Sequence, residues 1–201
     1  MPKETFENLD EKKKERVIEA GLEEFAEHSF HRATVDGIVD KAAISKGSFY
    51  QYFDDKKDLY RYLVNISQEE KLNYMREVLE KSPSEDVFFR LSELYSAGVR
   101  FANENPLLVA VGQNLMREEK ELRQELMGGS MNRAEDFIEG MLKEGVRKGQ
   151  IDSGANLSVA ASMIATYNLR LVDSLLHDGS FEEEAEDFLA LIEDMIYILK
   201  K

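Results

Sequence analysis

Two helix-capping residues in close succession, Thr34 and Ser45, restrict the fold of this chain more than any other feature of its sequence. A threonine or serine directly before an apolar, helix-periodic run is a typical N-cap. Thr34 therefore predicts a short helix over residues 35 to about 42, and Ser45 predicts a second one that ends near residue 53. Only Ala43-Ile44 separates them. Together with the helix that precedes them, they match a helix-turn-helix in size and spacing.

The remaining sequence also has the periodicity of amphipathic helices, so we predict an all-α protein of about nine helices. Only 3 residues are Pro and 12 are Gly, while strong helix formers are abundant. A first helix, capped by Asn8 or Asp10, runs to about His28. After the two short helices, we predict helices over Lys56 to Leu79, from a capping box at Ser82–Glu85 to Asn105, and over Leu107 to Met116. Further helices are predicted from Glu118–Glu125 to about Gly149 with a weak point at 127–130, then over Leu157–His177 and Phe181–Lys200.

Composition excludes several classes of protein. The absence of cysteine rules out a disulfide scaffold, a cysteine-ligated metal and a cysteine nucleophile. The longest apolar runs fall far short of the ~20 residues that cross a bilayer, and the first residues do not form a signal peptide. We therefore expect a cytoplasmic protein that needs no cofactor.

Charge is distributed unevenly along the chain. The 26 Lys and Arg residues against 40 Asp and Glu residues give a net charge of −14. This balance argues against a protein that coats nucleic acid without sequence preference. Residues 41–57 nevertheless hold four lysines against two aspartates. A locally positive surface on an acidic body is compatible with DNA binding at one defined place.

The second short helix has a polar surface apart from its core residues. Phe49 and Phe53 lie at i,i+4 and turn inward, while Gly47 would let the backbone approach a phosphate or a base edge closely. A helix fits the major groove, which is ~12 Å wide, and its exposed face must offer hydrogen-bond donors. The side chains left on its other faces are those of Lys46, Ser48, Tyr50, Gln51 and Tyr52.

The stretch from Thr34 to Leu59, TVDGIVDKAAISKGSFYQYFDDKKDL, resembles the DNA-binding domain of the TetR family of repressors. The resemblance spans roughly residues 10–62. It implies a helix-turn-helix DNA-binding domain over residues 1–55 and a helical ligand-binding and dimerisation domain over residues 56–201. It also implies a dimeric repressor that binds a palindromic operator and is released by a small molecule with an apolar part.

The resemblance further implies individual DNA contacts. Thr34 would anchor a phosphate, and Tyr52 and Lys56 would hold phosphates on the far side. The residues facing the major groove would be Lys46, Gly47, Ser48, Tyr50 and Gln51.

The sequence departs from the family pattern at four positions. Ala43 stands where the turn usually has Gly, and Ser29 where the first helix usually ends in Gly, so each turn must avoid a left-handed residue or tolerate its cost. Val39 replaces a small Ala. Gly37 lies inside a helix, where it costs up to ~1 kcal/mol.

The C-terminal helices predict a dimer, since two of them are apolar on two sides. The interface residues predicted from this pattern are Ile164, Leu171, Leu175, Phe188, Ile192 and Met195. Methionine and aromatic residues in the middle helices could line an apolar pocket for the effector. The pocket residues predicted are Phe88, Tyr95, Met116, Met141, Tyr167 and Arg170.

Two other classes of function compete with this interpretation. An enzyme is disfavoured because no phosphate loop or hydrolase motif is present. His28 and His31 have a possible metal spacing, but the sequence shows no third ligand near them. The alternative is a helical homodimeric adaptor or sensor that has lost specific DNA binding.

Overall fold

The computed structural model describes residues 2–81, 86–127 and 130–166, and it confirms the all-α class. The helices are α1 (Glu4–Glu7), α2 (Glu11–Glu27), α3 (Val35–Ala42), α4 (Lys46–Tyr52), α5 (Lys56–Lys81), α6 (Val87–Glu104), α7 (Pro106–Arg117), α8 (Lys120–Met127) and α9 (Ser130–Arg147). A tenth helix, α10, covers residues 157–166. Among these residues, no helix combines the length and the apolar character needed to cross a membrane.

Side-chain caps begin the amino-terminal helices where the sequence predicts them. Asp10 Oδ1 accepts a hydrogen bond from Lys13 N at 3.1 Å. Thr34 Oγ1 accepts one from Gly37 N at 3.0 Å, and Ser45 Oγ accepts one from Ser48 N at 3.0 Å. The short helix α1 was missed by the sequence analysis, and the capping box at 82–85 lies outside the described residues.

The chain divides into two compact units, and the first is discontinuous in sequence. Unit 1 comprises residues 1–71 and 102–128, and unit 2 comprises residues 72–101 and 129–201. The core of unit 1 contains Phe25, Phe49 and Tyr60 together with Val111 and Leu115 from α7. Packing therefore does not separate the chain at residue 55, and the functional division predicted there stays a prediction.

Unit 2 has its own apolar core, which contains three of the predicted pocket residues. Phe88, Tyr95 and Met141 are buried in one cluster. Met116 lies in unit 1 and does not share that cluster. The predicted pocket residues Tyr167 and Arg170 lie outside the described residues.

The prediction that Ile164 lies at a dimer interface is not supported. Its side chain is only 5% exposed in the single chain, because it packs in the core of unit 2. On the same helix, Val159 and Met163 are 53% and 54% exposed. The other predicted interface residues, Leu171, Leu175, Phe188, Ile192 and Met195, lie outside the described residues.

The turn between α3 and α4 tolerates a left-handed alanine. Ala43 has φ 52° and ψ 50°. This conformation lets Ile44 N donate to Val39 O at 3.1 Å, which closes the carboxyl end of α3. Among the described residues, Ala43 is the only one other than glycine with a positive φ, so the turn at Ser29 avoids the left-handed region altogether.

We expect Ala43→Gly to stabilise the protein. The left-handed region costs a residue with a Cβ about 1–2 kcal/mol, of which the greater chain entropy of glycine cancels part. The free energy of unfolding should therefore rise by about 0.5–1 kcal/mol, measured by urea denaturation. The matched control is Ala134→Gly, at an exposed position within α9, which should be destabilising. A lower midpoint for Ala43→Gly would contradict the left-handed turn.

Candidate nucleic-acid interface

The amino-terminal turns of α3 and α4 lie side by side. Lys46, the first residue of α4, places its Nζ 2.8 Å from Oδ1 of Asp36 in the first turn of α3. Both side chains are exposed, at 54% and 70%. The hydrogen bond that Lys46 donates to the Asp36 carboxylate raises the pKa of Lys46. Two helix starts, each with unpaired amides, thus form one surface.

Most of the residues predicted to face the major groove are on this surface. Lys46, Gly47, Tyr50 and Gln51 are exposed, and Ser48 is half-buried. Tyr50 is 45% exposed although its ring makes an edge contact with Phe49. Thr34 is exposed at the start of α3. The predicted core residues Phe49 and Phe53 are fully buried, which fixes the outward face of α4.

Among the described residues, no contact requires Gly47 to be a glycine. A Cβ at this position would meet only Ser45 Oγ, at an ordinary contact distance of 3.7 Å. The backbone has no positive φ there. Glycine near the start of a helix lowers helix stability, so an external constraint such as close approach of a ligand explains this residue better than packing does.

Two predicted phosphate contacts are placed differently by the structure. Tyr52 is only 4% exposed, with its ring against Phe6, so it belongs to the core of unit 1. Lys56 Nζ donates to Phe30 O at 2.6 Å and to Ala33 O at 2.8 Å. Its ammonium also lies 4.6 Å from the centre of the Phe30 ring. Lys56 therefore holds the connection between α2 and α3, a role that its position in the sequence did not indicate.

The positive charge counted over residues 41–57 is largely paired within the protein. Lys41 contacts Glu27 and Glu24, and Lys46 contacts Asp36. Lys57 Nζ lies 3.0 Å from Glu125 Oε1. With Lys56 bound to carbonyls, each of the four lysines has an acceptor in the chain. The local excess of lysine in the sequence is therefore not a surface of free cations.

Several other cations of unit 1 have no ion pair among the described residues. Lys12 and Arg16 are exposed on α2, and Arg32 is exposed just before the N-cap Thr34. The sequence analysis missed Arg32. Its place two residues before a helix start that could bind phosphate was the signal that could have identified it.

A buried carboxylate, that of Glu24, supports the start of α3. The side chain is 4% exposed, and its Oε1 accepts a hydrogen bond from Thr34 N at 2.9 Å. Its Oε2 lies 3.4 Å from Lys41 Nζ. A Cβ on Gly37 would come within 2.5 Å of the same carboxylate. The glycine inside α3 is therefore explained by close approach of Glu24, which the sequence did not reveal.

Within the described part of the chain, His28 and His31 do not belong to one cluster of potential metal ligands. His28 instead lies near Glu24 and Glu27, with potential ligand atoms within 4.8 Å of one another. The Lys41 ammonium contacts both glutamates, at 3.4 Å and 2.8 Å, and its hydrogen bond lowers the pKa of Glu27. A cation of the chain itself thus already contacts both carboxylates of this cluster.

Helix α7 holds the carboxyl end of α2. Asn114 Nδ2 donates to Phe25 O at 2.9 Å and to Ala26 O at 2.8 Å. Glu118 Oε1 accepts from Phe30 N at 2.7 Å. The connection from α2 to α3 is thus fixed from α7 as well as from Lys56 of α5, and it leads directly to the exposed surface at Thr34.

Comparisons with known proteins agree with this geometry. Residues 17–63 match the family model described as bacterial regulatory proteins, tetR family. The chain is 26% identical over 189 residues to the fatty acid metabolism regulator protein of Bacillus subtilis (strain 168), covering 92% of each chain. It is 25% identical over 172 residues to the HTH-type transcriptional regulator UidR of Escherichia coli (strain K12), covering 86% of this chain and 84% of UidR.

Solved structures have the same fold. A TetR family transcriptional regulator from Chloroflexus aurantiacus J-10-FL is 28% identical, with a TM-score of 0.71 and coverage of 98% of this chain and 96% of that one. FadR from Bacillus subtilis, in complex with stearoyl-CoA, is 24% identical, with a TM-score of 0.67 and coverage of 93% and 97%. At that identity the likeness to FadR shows the fold alone.

We expect Gly37→Ala to destabilise the protein although alanine is the better helix former. The new methyl group would overlap the Glu24 carboxylate and displace it from Thr34 N, so the free energy of unfolding should fall by about 1–3 kcal/mol. In a Glu24→Ala background, the same substitution should be neutral or stabilising, by up to about 1 kcal/mol.

This coupling is measured by a double-mutant cycle in urea. If the effects of Gly37→Ala and Glu24→Ala simply add, the two positions do not touch and the placement of the carboxylate is wrong.

Proposed function

The chain belongs to the TetR family of bacterial transcriptional regulators, and from this premise we propose that it is a dimeric repressor which binds a palindromic operator and is released by a small molecule. The observation that carries the proposal is the paired start of α3 and α4. This surface exposes Thr34, Lys46, Tyr50 and Gln51 beside a glycine that packing does not require.

Each exposed residue has a defined role in this proposal. The hydroxyl of Thr34 and the open amides at the start of α3 bind a phosphate, with Arg32 as a neighbouring cation. Tyr50, Gln51 and the backbone at Gly47 face the base edges in the major groove. Tyr52 and Lys56 support this surface indirectly: Tyr52 packs in the core of unit 1, and Lys56 binds carbonyls of the α2–α3 connection.

Lys46 reaches DNA only by exchanging its partner. Its ammonium is paired with Asp36 in the free protein, at 2.8 Å. A phosphate or a guanine edge must replace that carboxylate, while Asp36 itself repels phosphate. Binding to arbitrary DNA is therefore weak, and a site that satisfies both side chains is favoured.

The dimer would place two copies of α4 in successive major grooves. Two-fold symmetry in the protein matches a palindrome whose half-sites are about 34–36 Å apart. The exposed side chains of Val159 and Met163, on one face of α10, are compatible with a surface that a second copy covers.

The proposed effector is a long-chain acyl thioester. A regulator of fatty acid metabolism is among the relatives that align over 92% of the chain. Phe88, Tyr95 and Met141 provide apolar side chains in unit 2. Release requires that the effector bind one arrangement of the two DNA-binding surfaces better than the other. Helix α5 begins in unit 1 and ends in unit 2, so it is the element that would transmit such a change.

We expect Gly47→Ala to separate DNA binding from stability. The methyl group has room in the free protein and favours the helix, so the free energy of unfolding should stay the same or rise by up to about 1 kcal/mol. Affinity for DNA selected by the wild-type protein from a random-sequence pool should fall about 5- to 150-fold, since one ill-fitting contact costs about 1–3 kcal/mol.

Fluorescence anisotropy measures the affinity, and urea denaturation measures the stability. Gly140→Ala is the matched control, because a Cβ at this exposed position of α9 has no atom of the described part of the chain within 4 Å. It should leave DNA affinity unchanged. If the wild-type protein enriched no sequence from the pool and its DNA binding did not change with salt, the result would instead favour the alternative of an adaptor that has lost specific DNA binding.

We expect stearoyl-CoA to release the protein from the same selected DNA. Titration should lower the anisotropy of the bound probe, whereas coenzyme A alone, which lacks the apolar chain, should have little effect. Equal release by both compounds would place recognition on the nucleotide part. An operator Kd that does not change with saturating stearoyl-CoA would exclude this effector class.

A further inference from the structure

The carboxyl end of α4 is capped by the amino-terminal residues of the chain. A helix leaves its last carbonyls without intrahelical donors. In α4, Lys3 N donates to Tyr52 O at 2.9 Å, and Lys3 Nζ donates to Tyr50 O at 2.9 Å. The hydroxyl of Thr5 donates to Gln51 O. Three successive terminal carbonyls of the helix are thus satisfied by a segment far away in sequence.

The same segment is anchored in the core of unit 1. Phe6 is fully buried, and its ring centre lies 4.9 Å from that of Phe53, the residue directly after α4. Lys3 Nζ also lies 2.7 Å from Asp54 Oδ1, and this hydrogen bond lowers the pKa of the Asp54 carboxyl. A cation at the negative end of a helix is favourable in addition.

These contacts matter because α4 is short and because its last turn carries exposed side chains. A helix of 7 residues is not stable by itself and depends on its surroundings. Tyr50 and Gln51 have exposed side chains on the candidate interface, and it is their carbonyls that Lys3 and Thr5 hold. Fraying of this turn would displace both side chains, while the start of the helix, capped by Ser45, would stay in place.

We propose that residues 3–6, termed here the amino-terminal clamp, hold α4 in the position in which it reads DNA. Lys3 and Thr5 are positioning residues in this proposal and do not touch DNA. The inference rests on the proposed DNA-binding function, because the position of α4 matters only if its side chains read base edges.

The sharpest variant is Thr5→Val, which removes the donor without changing shape or charge. We expect it to weaken binding to DNA selected by the wild-type protein about fivefold, the effect of one lost hydrogen bond. Thr5→Ser keeps the hydroxyl and should bind like the wild type. Thr5→Val combined with Lys3→Met should lose more than tenfold, and Lys3→Arg should retain most of the affinity because a guanidinium can still donate.

The salt dependence of binding separates positioning from direct contact. A side chain that neutralises a phosphate contributes about one unit to the slope of log affinity against log salt. Arg32→Ala should therefore reduce the slope by about one. Lys3→Met should lower the affinity with the slope unchanged. A slope reduced by about one in Lys3→Met would place Lys3 on a phosphate and overturn the proposal.

Amide hydrogen exchange tests the clamp without DNA. In Thr5→Val and Lys3→Met, the amides of the last turn of α4 should exchange faster, while those of α2 and α3 should be unaffected. Unchanged exchange in α4, or wild-type affinity for the selected DNA, would overturn the clamp. Failure of the wild-type protein to select any DNA would instead overturn the proposed function, and faster exchange in the variants would still establish the clamp as the device that holds α4.

Discussion

The buried carboxylate of Glu24 is the interaction on which the candidate DNA-binding surface depends. It accepts a hydrogen bond from the backbone amide of Thr34 and forms an ion pair with Lys41. It also lies so close to α3 that only glycine fits at position 37. A charge taken out of water is tolerated where hydrogen bonds and an opposite charge compensate it. Because Glu24 belongs to α2, it fixes where α3 begins relative to α2. The turn at Ala43 and the direction of α4 then follow from α3.

Intramolecular pairing changes the meaning of the charge distribution. A net charge of −14 and a lysine-rich segment suggest an acidic body with a basic patch. The structure instead gives Lys41, Lys46 and Lys57 carboxylate partners and places Lys56 on carbonyls. Under the proposed function, affinity for DNA depends less on a permanent positive surface than on the exchange of the Asp36 partner of Lys46 at a matching sequence. Such a protein is expected to discriminate strongly while binding only moderately tightly.

Local signals in the sequence predicted the described helices well, because caps and apolar periodicity act over a few residues. The predicted helix over Phe181–Lys200 and the end of the one over Leu157–His177 lie outside the described residues. Thr34, Ser45 and the inward pair Phe49 and Phe53 were all placed correctly. Contacts between distant segments were not predictable in this way. Nothing near Lys56 indicates that it binds carbonyls before α3, and nothing near Gly37 indicates a carboxylate from α2. The amino-terminal helix was missed since four residues carry almost no periodicity, and its position depends on contacts with α4 that are distant in sequence, namely the buried ring of Phe6 and the hydrogen bonds of Lys3 and Thr5.

The discontinuity of unit 1 has a consequence for how such proteins can be recombined. Its core is built from residues on both sides of the segment 72–101, since α7 and α8 contribute buried side chains beside those of the first helices. The part of the protein that carries the candidate DNA-binding surface is therefore not an independent amino-terminal domain. A chimera that joins the first 71 residues to a foreign sensor would lack Val111 and Leu115. It would also lack Asn114 of α7 and Glu118, the residue after α7, which hold the end of α2 and the α2–α3 connection. Transplantation of DNA specificity should succeed by exchange of surface residues on a retained scaffold rather than by exchange of whole segments.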